Sequence, residues 1–219
     1  MKIDVREALR YLNAQEADDE TARRVAEIAA ELETAIVPRS LYRDFTLTKT
    51  AGGYALREAD VPLPGTLAKR MLESCGSAVI LVCTLGARFD AMLRAAQARD
   101  MAKAVILDAC GSAYAEAGCD AAEKEIAARH PGLFLSDRFS PGYGDLPLEI
   151  QGRLLAAVDA GRRLGVQATA SHLMIPSKTV TALIGLSPTP QRARIRGCAY
   201  CGLRDGCAMR KGGKSCVGD

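Results

Sequence analysis

From Val25 to Ile36 the apolar residues recur at helical spacing: Val25, Ile28, Ala29, Leu32 and Ile36. They follow Asp18-Asp19-Glu20-Thr21, a polar and acidic cluster of the kind that opens a helix. Between Leu41 and Thr48 the period changes to two, with Leu41, Phe45 and Leu47 on one side and Tyr42, Asp44 and Thr46 on the other, which predicts a strand. Gly52-Gly53 predicts a turn, and Tyr54 to Arg57 the returning partner strand. Thr66 is placed to cap a short helix through Met71 and Leu72. The run Ala78-Val79-Ile80-Leu81-Val82-Cys83 is apolar throughout and rich in β-branched residues, so it predicts a strand buried on both faces. Thr84-Leu85-Gly86 then leads into a helical pattern through Phe89, Met92 and Leu93.

A longer, Ala-rich helix is expected from Asp100 to about Arg129, ended by His130-Pro131-Gly132. Leu133 to Phe139 suits a strand. Asp145 and Pro147 have the character of a helix start that continues through Leu154-Leu155. Ser171 to Leu186 reads as strand, turn at Pro176-Ser177-Lys178, and strand, with His172 in the first strand. The elements together predict an α+β fold: a twisted, mainly antiparallel sheet with flanking helices.

Composition changes the picture at the C-terminal end. After Ser187-Pro188-Thr189-Pro190 the chain becomes basic, Gly-rich and Cys-rich. From residue 191 onward seven Lys or Arg residues stand against two Asp, while the rest of the chain is slightly acidic. Residues 1–190 are therefore expected to form the main domain and 191–219 a separate tail. No repeat of fixed period is present. The longest aliphatic stretch is far shorter than the ~20 residues a membrane helix needs, and the start lacks the apolar core of a secretory signal. A cytoplasmic protein without membrane contact is the expectation. The absence of Trp, an aromatic content of 5% and a net charge of +3 argue against a nucleic-acid partner.

Four of the eight cysteines fall in the last 22 residues, as Cys198-x2-Cys201-x5-Cys207-x8-Cys216. That segment has too few apolar residues to form a core of its own. A bound metal supplies the missing cohesion, because metal-binding free energy becomes folding free energy. Two groups suit four thiolates: a 4Fe–4S cluster, or tetrahedral zinc. A single CxxC pair with irregular further spacing favours the cluster. Cys75, Cys83, Cys110 and Cys119 lie among Ala, Val and Leu and are expected to behave as small hydrophobes.

The sharpest motif of the main domain is Arg138-Phe139-Ser140-Pro141-Gly142-Tyr143-Gly144-Asp145. Arg138 offers a planar fork matched to a carboxylate or phosphate. Gly142 and Gly144 let a ligand come close to the backbone, Pro141 stiffens the turn, and Tyr143 supplies a flat face with a polar tip. A well-made surface turn would use the same residues.

Arg138-x-x-Pro141-Gly142-Tyr143 resembles the RxxPGY motif of the activation domain of cobalamin-dependent methionine synthases. Pro176-Ser177-Lys178-Thr179-Val180-Thr181 is similar to that family's Pro-x-x-(Ser/Thr)-Val-(Ser/Thr) segment. Thr84-Leu85-Gly86 and the Asp108-to-Glu116 helix resemble its small stand-alone members. The likeness spans most of residues 1–187 and leaves the tail outside. It implies binding of S-adenosylmethionine and reductive remethylation of cob(II)alamin, in which one electron and one methyl group are consumed. Arg138 would hold the methionine carboxylate, and backbone around Ser140 and Gly142 would read the adenine. Tyr143 would line the pocket, and Glu116 would face the methionine ammonium. Where the large enzymes carry a Tyr after the Pro-x-x-(Ser/Thr) turn, this chain reads Ala182-Leu183-Ile184.

A cobalamin-binding Asp-x-His-x-x-Gly signature is missing, so cobalamin is expected on a partner: a corrinoid protein or the cobalamin-binding subunit of a split methionine synthase. An electron-donor protein is a further expected partner. Cys198, Cys201, Cys207 and Cys216 are the expected metal ligands and a candidate electron relay. The alternative is a non-enzymatic module that senses S-adenosylmethionine and carries a structural zinc in its tail.

Overall fold

A computed structural model describes residues 1–191 and 193–195. In chain order the helices are α1 (Val5–Tyr11), α2 (Asp19–Ala35), α3 (Thr66–Leu72), α4 (Gly86–Gln97), α5 (Met101–Arg129), α6 (Gln151–Ala157) and α7 (Ala160–Leu164). The strands are β1 (Arg39–Thr50), β2 (Gly53–Leu56), β3 (Val61–Pro64), β4 (Ser77–Thr84), β5 (Phe134–Leu135), β6 (Gln167–Ala168), β7 (Met174–Ile175) and β8 (Thr179–Ser187). They form two compact units. Met1–Arg43, Leu81–Arg129 and Glu149–Thr181 make a mainly helical unit. Asp44–Ile80, His130–Leu148 and the described residues from Ala182 make a unit built on the sheet.

In the helical unit α5 is the central element, packed by α1, α2 and α4. Its buried positions form a broad face: Ala104, Leu107, Cys110, Ala113, Tyr114, Ala115, Cys119, Ala122 and Ile126 are covered. The middle of the helix, Leu107 to Cys119, is the most covered part, while Asp108, Asp120, Lys124 and Glu125 stay exposed. Small residues let the neighbours approach: a Cβ at Gly111 would run into the Phe89 ring of α4. The α2 stripe Val25, Ile28, Ala29 and Leu32 joins this core. The Asp18 carboxylate caps α2 by accepting from Thr21 N at 2.8 Å, as the acidic cluster before the helix predicts. Asp100 does the same for α5 through Lys103 N at 2.9 Å.

Six strands lie in one sheet in the order β3-β2-β1-β4-β8-β5. The β1–β2, β2–β3 and β5–β8 ladders are antiparallel. β3 has no counterpart among the predicted strands. Val61 and Leu63 are buried and Pro62 is exposed, and β3 forms one edge of the sheet, where a residue without an N–H is tolerated. α3 packs on β2 and β3 and buries Leu67, Ala68, Met71 and Leu72. The predicted apolar strand is β4, covered from Ala78 to Thr84. The predicted Leu133–Phe139 strand is β5 followed by an isolated bridge, in which Phe139 N donates to Leu183 O at 3.1 Å and Leu183 N returns to Phe139 O at 2.8 Å.

Four local expectations are corrected. Thr66 is the first residue of α3 and not its cap; the carboxylate that caps α3 is Asp145, 79 positions along the chain. Asp145 consequently starts no helix, and α6 begins only at Gln151, after a short 3-10 turn at Leu148–Ile150. The strand pair expected across Pro176-Ser177-Lys178 is not a hairpin, because β7 pairs with β6. His172 lies in the β6–β7 turn with φ 63°, not in a strand. No described helix is long and apolar enough to cross a membrane.

Candidate functional site

Arg138, Ser140, Gly142 and Tyr143 sit together on the loop that leaves the bridge at Phe139. Ser140 O accepts from Tyr143 N at 3.1 Å, closing a four-residue turn with Pro141 and Gly142 at its centre. Pro141 presets the first corner. Gly142 has φ 88°, the left-handed conformation that the second corner of such a turn requires. Two further bonds close the loop: Gly142 N donates to Leu146 O at 2.9 Å, and Leu146 N to Tyr143 O at 3.0 Å. Pro141 and Leu146 are buried beneath it, while Gly142, Tyr143 and Gly144 are exposed.

The two side chains of the motif differ sharply in exposure. Arg138 is 7% exposed and engaged with the protein. Its guanidinium carries five donors in a fixed plane, so an internal partner leaves capacity for a carboxylate. Tyr143 is 50% exposed, with its ring available at the loop surface. Ser140 is half-buried.

The loop is fastened by its last residue. Asp145 Oδ2 accepts from Thr66 N at 2.6 Å and Thr66 Oγ1 at 2.7 Å, and Oδ1 accepts from Leu67 N at 2.9 Å. These bonds, led by the backbone N–H groups of Leu67 and Thr66, hold the Asp145 carboxyl down at about 2. Gly65 makes room: it has φ 101°, and a Cβ there would lie 2.7 Å from Asp145 Oδ1. The sequence points to the loop but not to this fastening, because Gly144-Asp145 carries no sign of a partner at Thr66.

The chain toward the tail starts beside the same loop. Asp137, next to Arg138, accepts from Ile195 N at 3.0 Å and pairs with Arg194 at 3.4 Å. Gln191 Nε2 donates to Ser74 Oγ at 3.0 Å. Cys198, Cys201, Cys207 and Cys216 lie outside the described residues. Among the described residues no cluster of three or more His, Cys, Asp or Glu side chains could hold a metal ion. The other cysteines are free, and Cys83, Cys110 and Cys119 are buried. Burial pushes the Cys75 and Cys110 thiols up to about 11, so both stay protonated near neutral pH.

Glu116 belongs to the helical unit. It is half-buried on α5, and its charge adds to burial in raising the Tyr11 hydroxyl of α1 above its ordinary range. The Pro176–Thr181 segment lies in the same unit and is closed by its own bonds. Ser177 N and Oγ donate to Asp90, the hydroxyl at 2.6 Å. Lys178 Nζ donates to Asp108 at 2.9 Å and Ser112 at 2.8 Å. Thr179 Oγ1 donates to Pro176 O at 2.7 Å and lies 2.8 Å from Thr84 Oγ1. The Ile175–Pro176 peptide is cis.

No family model matches the sequence, and no curated protein matches it. Among solved structures the fold is similar to that of the MetH reactivation domain bound to AdoHcy. The TM-score is 0.56 at 15% sequence identity, and the match covers 95% of this chain and 73% of that one. At this identity the likeness establishes the fold.

Proposed function

We propose that this chain binds S-adenosylmethionine on the Arg138–Tyr143 loop and donates its methyl group in the reductive remethylation of cob(II)alamin held by a partner corrinoid protein. The observation that carries the reading is the fold likeness to a reactivation domain holding AdoHcy, which is S-adenosylmethionine without its transferable methyl group. The closed loop built on the RxxPGY residues supports it independently.

Arg138 takes the methionine carboxylate, a charge-assisted contact of the stronger kind. The backbone at Ser140 and Gly142 meets the adenine edge, and the Tyr143 ring covers its face. The chain need not supply a nucleophile: one electron would convert cob(II)alamin to cob(I)alamin, which would attack the sulfonium methyl carbon as that carbon's bond to sulfur breaks. Methylcobalamin and AdoHcy are the products. The protein's contribution is to fix the methyl donor in line with the cobalt, and positioning of this kind is worth roughly 7–11 kcal/mol.

The tail thiols Cys198, Cys201, Cys207 and Cys216 are a donor set suited to a 4Fe–4S cluster, with zinc as the alternative. A cluster there would supply the electron, received from an electron-donor protein. The start of the tail beside Asp137 favours this use, since it anchors the tail one residue from Arg138. A cob(II)alamin-loaded corrinoid protein, S-adenosylmethionine and a reductant, followed by the absorbance of methylcobalamin, test the reading. Formation that depends on this chain and falls with Arg138→Ala supports it; a rate unchanged by adding the chain rejects it.

A further inference from the structure

The Ser140–Tyr143 turn exposes Gly142 and Tyr143, and its backbone bonds run within the loop as far as Leu146. Its N-terminal end is tied to β8 by the Phe139–Leu183 bridge, and its C-terminal end is held by Asp145, whose carboxylate accepts three donors at the start of α3. The far end of that contact is firm. α3 is seated on β2 and β3, and Gly65 N donates to Gly52 O at 3.2 Å, tying the helix start to the β1–β2 turn. The site is shaped for this carboxylate, because Gly65 in its left-handed conformation leaves no room for a side chain beside it.

We propose that Asp145 is the positioning residue of the ligand loop, its carboxylate locking the Arg138–Tyr143 segment to α3 so that the loop is preformed before ligand arrives. This rests on the reading of that segment as the S-adenosylmethionine site. Preformation removes an ordering cost that binding would otherwise carry. Asp145 touches no ligand in this role; it acts through the backbone of Gly142 and Tyr143. Its carboxyl remains ionised throughout the neutral range, so the lock does not depend on pH there.

Asp145→Asn keeps the shape of the side chain but offers only one accepting oxygen, and Thr66→Val removes a single donor. Amide hydrogen exchange on the unliganded 219-residue chain reads the lock directly. Exchange at Gly142, Tyr143 and Leu146 should quicken about tenfold or more in Asp145→Asn and less in Thr66→Val, with exchange in α5 unchanged. AdoHcy affinity, measured by calorimetry on the same samples, should fall about tenfold in Asp145→Asn and less in Thr66→Val, in the same rank order. Faster loop exchange with unchanged affinity overturns the positioning role, and so does unchanged exchange in both variants. If the wild-type protein fails to bind AdoHcy, the functional reading falls, and loop exchange still decides whether Asp145 is the lock.

Discussion

The two segments that carry the family resemblance are built in opposite ways. Pro176–Thr181 is closed by its own hydrogen bonds: Ser177 is held by Asp90, Lys178 by Asp108 and Ser112, and Thr179 by Pro176 O and Thr84. Its polar groups face other protein groups. Arg138–Tyr143 has its turn closed by backbone hydrogen bonds, and it presents a half-exposed Tyr143 and an exposed Gly142 at the surface. Similar motif strength in sequence therefore covers two different jobs. The first segment fastens strands to helices in its unit. The second is a hydrogen-bonded turn that leaves Gly142 and Tyr143 exposed, and it is the segment proposed to take the ligand. Substitutions in the first should register in stability, and substitutions in the second in affinity.

The largest stability effect is expected at Thr179. Thr179→Val removes a buried hydroxyl that contacts both Pro176 O and Thr84 Oγ1, and should cost about 1–3 kcal/mol in urea unfolding with AdoHcy affinity little changed. A large loss of affinity without a loss of stability would erase the contrast. Asp90→Ala frees Ser177 at an exposed position and should cost about 0.5–1.5 kcal/mol by the same measurement. Tyr143→Ala should leave stability within about 0.5 kcal/mol, because the ring is half exposed, while AdoHcy binding weakens. A destabilisation above that range would mean that the Tyr143 ring is part of the packing.

Acid sharpens the contrast from another side. The folded Asp145 carboxyl is held at about 2, below its ordinary 3.8. The stability it contributes is fully present above pH 3.8 and is lost as pH falls through about 2. Exchange at Gly142 and Tyr143 should therefore be insensitive to this group from pH 7 to pH 4, after correction for intrinsic rates. Below that, the loop should open, and Asp145→Asn should remove the dependence.

Legibility in the sequence followed the range of the interaction. α2 was readable because both its signals are local, the Asp18 cap and the Val25-to-Leu32 stripe. β4 was readable because an unbroken apolar run has one natural place, inside a sheet. β3 was not, since Pro62 and Pro64 disguise a strand that survives only at an edge. Asp145 carries the local mark of a helix start, and its real partners are at Thr66 and Leu67, which no window around it contains. The Pro176-Ser177-Lys178 turn looked like a hairpin because its side-chain partners Asp90, Asp108 and Ser112 are equally distant. The candidate loop was legible as chemistry, since Arg, Pro, Gly and Tyr each have a local reason to be there. How it is held was not.

The central claim is that the Arg138–Tyr143 loop is the ligand site, and calorimetric titration of AdoHcy into the 219-residue chain and its Arg138→Ala variant tests it most directly. Saturable binding to one site is expected, weakened in the variant by about 1.5–3 kcal/mol as a charge-assisted hydrogen bond is lost, with circular dichroism confirming that the variant is folded. No binding by the wild-type protein, or equal affinity in a folded Arg138→Ala variant, would contradict the account.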